Sequence, residues 1–199
     1  MKLFKDTKTR KWVAASAVPV ALLASGGMVW QASYSAFADT TTNPTSNWAS
    51  GTVKLADDDV NTAMFSASNM KPGSTGTKCI QVTSTGSLAS TVKVYGTSYA
   101  TTNALAGNIN LTVDEGTGAT FGGGCGSFTK TSEAYNGTLA AFGTGKTSFA
   151  TGVGSWAPVG TSTSETKSYR ITYTLSANTP DSAQGGTAAL GFTWEAQNS

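Results

Sequence analysis

The chain has 199 residues, 13 of them basic and 11 acidic, for a formal charge of +2, and it contains no histidine. That length suits one domain with a sizeable core, and the missing histidine rules out a Ser-His-Asp relay, a Cys-His pair and an HExxH zinc site. Five of the basic residues (Lys2, Lys5, Lys8, Arg10 and Lys11) lie in the first eleven positions, and beyond residue 36 eight basic and ten acidic side chains leave about −2. No basic face remains there to draw nucleic acid.

A mostly apolar run of small residues follows this cationic start, from Trp12 to Trp30, broken by Pro19 and the Gly26-Gly27 pair. It reads as an export signal helix. A retained anchor is the alternative, because the run is just long enough to span a bilayer. Small residues after it offer places to cut, so the expectation is a signal peptide at 1–36 and no membrane association after its removal. A conventional A-x-A site would use Ala36-Phe37-Ala38 and start the exported chain at Asp39.

From residue 49 the chain is rich in Thr, Ser, Gly and small apolar residues, a composition that suits short strands and turns. Strands are predicted at 51–55 and 63–68, separated by the acidic turn Asp57-Asp58-Asp59. Pro72 and Gly73 then mark a turn. Further strands are predicted at 77–84, at 90–97 and at 108–114, where Ile109, Leu111 and Val113 alternate. Residues 116–126 are glycine-dense and read as a loop pinned by Cys125. For 135–146 the periodicity does not choose between a strand and a helical turn. Two late segments alternate most regularly. One places Tyr169, Ile171, Tyr173 and Leu175 on one face, with Arg170, Thr172 and Thr174 on the other; the second places Ala188, Leu190, Phe192 and Trp194 together. Frequent short strands with no helical periodicity after the signal point to an all-β, antiparallel, jelly-roll-like β-sandwich spanning 49–199.

The two cysteines, Cys79 and Cys125, are expected to form a disulfide in an oxidising compartment. With no histidine and no CxxC, a tetrahedral metal site has too few donors. Three other features invite a chemical reading. Gly145-Lys146-Thr147 resembles the end of a phosphate-binding loop, but Ala140 stands where its first glycine belongs, so a surface turn is expected. Asp57, Asp58 and Asp59 offer oxygens to calcium, yet neighbours on a strand diverge, and a solvated turn is the simpler reading. Asp114, Glu115, Glu133 and Glu165 show no spacing that selects a catalytic pair. The aromatics Tyr169, Tyr173, Phe192 and Trp194 are placed in the core rather than in a glycan groove.

The segments "NWASGTVKL", "SNMKPGSTGTKCIQVTSTGSLASTVKV" and "GFTWEAQ" resemble the TasA and camelysin family of exported bacterial proteins. The likeness covers 48–94 and 187–197. The resemblance implies a SipW-type signal peptide cut between Ala36 and Phe37, since Phe37-Ala38-Asp39 looks like the Phe-x-Asp start of family members. It further implies a secreted protein of the cell surface or biofilm matrix, a fibre-forming structural role, and self-association in which the N-terminal segment of one subunit adds a strand to the next. Other matrix components are possible partners, and no cofactor is implied by that role. The assembling segment would be 37–48, with Phe37, Asp39, Thr40, Thr41, Thr42 and Trp48. Extended, this stretch reaches roughly 40 Å, and Pro44 limits the inserted part to an edge or to the residues before it. A metallopeptidase activity attributed to some members finds no histidine here. A monomeric surface-binding module for glycan or matrix is the competing expectation.

Overall fold

The computed structural model describes residues 38–39, 52–59, 62–161 and 163–198. The chain divides into two units, Met1–Phe37 and Ala38–Ser199, and only the second is described. The predicted signal helix and its cleavage position lie outside the described residues.

Among the described residues nine strands form two antiparallel sheets, the all-β sandwich expected from the alternation. They are β1 (Ala38–Asp39), β2 (Leu55–Asp57), β3 (Thr75–Ser84), β4 (Ser90–Thr101), β5 (Ile109–Thr117), β6 (Thr129–Thr138), β7 (Val153–Trp156), β8 (Glu165–Leu175) and β9 (Ala188–Asn198). One sheet has the order β1-β9-β4-β7, the other β2-β3-β8-β5-β6. Early strands thus lie beside late ones, β3 against β8 and β4 against β9. Ile80, Val82, Val92, Val94, Leu111, Val113, Tyr169 and Ile171 fill the space between the sheets. Burying such side chains supplies roughly 1.5 to 3 kcal/mol each.

Several local expectations shift. Residues 63–68 form no strand: Met64 is buried there and Phe65 packs edge-on against Tyr173, with centroids 5.1 Å apart, so side-chain anchoring replaces ladder pairing. The strand expected at 51–55 begins only at Leu55 and runs to Asp57, because the register with β3 starts at Leu55 opposite Ser84. The ambiguous stretch 135–146 is both things in turn. β6 ends at Thr138, whose side-chain oxygen accepts a hydrogen bond from the Ala141 N–H at 3.1 Å and caps the short helix α1 (Leu139–Gly145). Gly145 and Lys146 therefore close a helix rather than a surface turn, and the Lys146 carbonyl accepts the Gly96 N–H.

Cys79 and Cys125 are joined, with Cα atoms 5.4 Å apart. The bond fastens the loop 118–128 to β3. Ser168 on β8 secures the same loop by bonding both the N–H and the carbonyl of Ala119, at 3.2 and 2.6 Å. The Arg170 guanidinium lies 4.8 Å from the Phe128 ring centre.

Glu115 is the least expected element of the core. It is 1% exposed on the inner face of β5. Its carboxylate accepts hydrogen bonds from Ser132 Oγ on β6 at 2.9 Å, and from the N–H and Oγ of Ser155 on β7 at 2.9 and 2.8 Å. Because β5 and β7 belong to opposite sheets, one side chain ties the sandwich together. Gly154 makes this possible: its φ is +113°, and a Cβ there would lie 2.9 Å from Glu115 Oε1.

Two outcomes follow. Replacing both cysteines by serine should lower stability by about 4 kcal/mol, given the 46-residue separation, as measured by urea denaturation. Glu115→Gln, which removes the charge from hydrogen bonds worth roughly 1.5 to 3 kcal/mol each, should lower stability by about 2 kcal/mol in the same measurement.

Candidate functional site

The strand β9 is unevenly covered, as is β3, beside which β2 spans only Leu55–Asp57. On one side β9 pairs with β4 from Asn198 opposite Ser90 to Ala188 opposite Thr101. On the other side only β1 pairs with it, Ala38 opposite Gln197 and Asp39 opposite Ala196. Among the described residues, 188–195 have no strand on that side. Alternate N–H and C=O groups of an antiparallel edge point outward in this way and form a template for a further strand.

The side chains of β9 fit a strand fixed by its face and open at its edge. Ala196 is buried, and Leu190, Phe192 and Trp194 pack against the core. A chain of aromatic contacts crosses the sandwich: Tyr135 to Phe142 at 4.8 Å, Phe142 to Phe192 at 5.8 Å, Phe192 to Trp194 at 6.5 Å and Trp194 to Tyr169 at 5.4 Å. The other face is polar. Tyr95 donates to Glu195 at 2.9 Å, and Thr97 and Thr193 place their hydroxyls 3.4 Å apart. Burial, reinforced by Glu195, raises the Tyr95 hydroxyl above its ordinary value.

At its N-terminal end β9 borders a cleft of about 890 Å³, lined by apolar side chains that include Phe65, Leu105, Leu139, Tyr173, Leu190 and Phe192. No sequence pattern announced it. Its walls come from four separate stretches of chain, which only the sandwich brings together.

The carboxylates considered for chemistry are each placed. Asp58 accepts the backbone N–H groups of Gln81 at 2.8 Å and Phe121 at 2.7 Å, so it joins β3 to the disulfide loop instead of pointing into solvent. Burial first, then the Asp59 charge, raises the neighbouring Asp57 carboxyl above its ordinary 3.8. Asp114 is 3% exposed and paired with Arg170 at 2.7 Å and Lys130 at 2.6 Å. Glu133 meets Lys130 at 3.1 Å. Glu165 accepts the N–H groups of Val159 and Gly160, both at 3.0 Å. Among the described residues no three His, Cys, Asp or Glu side chains converge on a common point. Asp58, Asp114, Glu133 and Glu165 are instead each engaged with backbone donors or basic side chains.

Of the expected assembly segment, Ala38 and Asp39 are seen as backbone in β1. Ala36, Phe37, Thr40, Thr41, Thr42 and Trp48 lie outside the described residues.

Tyr169 gives the site a pH dependence. Burial, then the charge of Glu115, pushes its hydroxyl well above 10. A folded-state value above the unfolded one contributes stability that is complete below pH 10 and falls as the pH rises further, because the unfolded chain releases the proton first. The urea midpoint should accordingly drop above about pH 10, and Tyr169→Phe should flatten that drop.

No curated protein matches the chain. The family model described as camelysin metallo-endopeptidase matches residues 6–117, more than half of the sequence. That span holds the first strands of the sandwich through β5, and the chain belongs to the camelysin family.

Proposed function

We propose that the protein is a secreted structural subunit of the cell surface or biofilm matrix, which assembles into fibres when residues 37–48 of one copy add a strand to β9 of the next. The observation that carries this reading is the β1 to β9 pairing: the N-terminal segment has a register on an edge whose remaining eight residues, 188–195, lack a strand partner among the described residues. Strand addition gains main-chain hydrogen bonds along such an edge. Neither the peptidase activity in the family's description nor a glycan-binding face is the reading adopted. The first has no histidine in the sequence and, among the described residues, no convergent donor set. For the second, Tyr169 is buried against Trp194, and among the described residues the large exposed hydrophobic side chain is Val159, so no exposed aromatic row stands on the surface.

Deleting 37–47 tests the proposal. The truncated protein should unfold cooperatively within a few degrees of the exported form, and it should form no filaments by negative-stain electron microscopy. Filaments of unchanged abundance from the truncated protein would exclude strand addition by this segment.

A further inference from the structure

We infer that Asp58, with the disulfide-held loop it fastens, guards the β3 edge against a strand from a second copy and so directs that strand to β9, an inference that rests on the strand-addition reading above. β3 is ten residues long, but β2 pairs only with 82–84, so among the described residues 75–81 have no strand on that side. Every second residue of an antiparallel strand turns its N–H and C=O away from its partner. Gln81 is one of these, because its N–H goes to Asp58. The register of β3 on β8 is unbroken, so Cys79, Thr77 and Thr75 turn the same way. Left bare, these groups would be a template for a further strand.

Asp58 stands where that template begins. Asp57 lies opposite Val82, and one further step of the same register sets Asp58 opposite Gln81. In a continuing strand the Asp58 main-chain carbonyl would accept the Gln81 N–H. Its side chain accepts that N–H instead, at 2.8 Å, and β2 ends at Asp57. The other carboxylate oxygen accepts the Phe121 N–H at 2.7 Å, so one side chain holds Phe121 of the loop beside the Gln81 backbone. Lys78 Nζ lies 5.5 Å from the Phe121 ring centre, and Cys79 is bonded to Cys125 of the same loop. A capped donor, a nearby cation and a loop at the margin are devices that keep a sheet edge from pairing.

The other margins carry devices of their own. β6 is bulged twice against β5 and bears Lys130 and Glu133, and β7 is four residues long. Along 188–195 the one charged residue is Glu195, which is engaged by Tyr95 and Gln197. The register shift between β4 and β9 places its extra residue on β4, which leaves β9 regular.

The test adds a synthetic peptide of residues 37–48 to the exported protein and follows amide hydrogen exchange by mass spectrometry. In the wild-type protein exchange along 188–195 should slow about tenfold while 75–81 stays unchanged. In Asp58→Ala both stretches should slow about tenfold. Asp58→Asn keeps one acceptor oxygen and hence one of the two bonds, and it carries the same test if the alanine variant does not fold. Slower exchange along 75–81 in the wild-type protein would overturn the guard. Slowing confined to 188–195 in a folded Asp58 variant would overturn the part played by Asp58 and leave strand addition at β9 standing. Slowing at neither stretch in any of these proteins would remove strand addition itself, and the guard with it.

Discussion

A carboxyl group in the centre of a β-sandwich is costly unless hydrogen-bond donors compensate it. Glu115 meets that demand by recruiting both sheets. Ser132 approaches from β6 and the Ser155 backbone and hydroxyl from β7, and Gly154 must adopt a conformation and a bareness that leave room for the carboxylate. The β6 strand is bulged on both sides of this point, between the partners of Val113 and Asp114 and again between those of Glu115 and Gly116. The alternation of β5, unbroken against β8, puts Glu115 inward and Asp114 outward beside Arg170 and Lys130, while the bulge turns Ser132 of β6 inward to meet the carboxylate. One buried group thereby links the two sheets.

The disulfide and Asp58 secure the opposite side of the larger sheet. Cys125 fastens the glycine-dense loop to β3, and Asp58 reaches the same loop at Phe121 while holding Gln81 of β3. A loop of this composition has high conformational entropy to lose, and its anchors are correspondingly strong: a covalent bond, a carboxylate accepting backbone donors, and Ser168 satisfying both polar groups of Ala119. The larger sheet still ends in open edges, β6 on one side and the part of β3 beyond β2 on the other, as the smaller sheet does along β9.

The β9 edge links stability to function. The inner face of β9 is committed to the core through Leu190, Phe192, Trp194 and Ala196, so the strand has a fixed position and register. Its outer edge is nevertheless largely open among the described residues. An edge that is rigid yet unpaired selects an incoming strand by register and side-chain fit instead of by collapse.

The alternating segments at 169–175 and 188–194 determined two strands and their inward faces from sequence alone, because burial on one side of a sheet imposes period two. The cysteine count likewise determined the disulfide, and the glycine density the loop it holds. Residues 63–68 misled for a physical reason: Met64 and Phe65 are anchored as a strand's side chains would be, yet their backbone has no ladder. Only the tertiary structure decided the role of Glu115, whose donors lie 17 and 40 residues away in sequence. The same holds for the cleft, whose walls come from separate stretches of chain, and for the open edge of β9. An edge is defined by which strands stand beside it, and strand order depends on long-range pairing that no local pattern encodes.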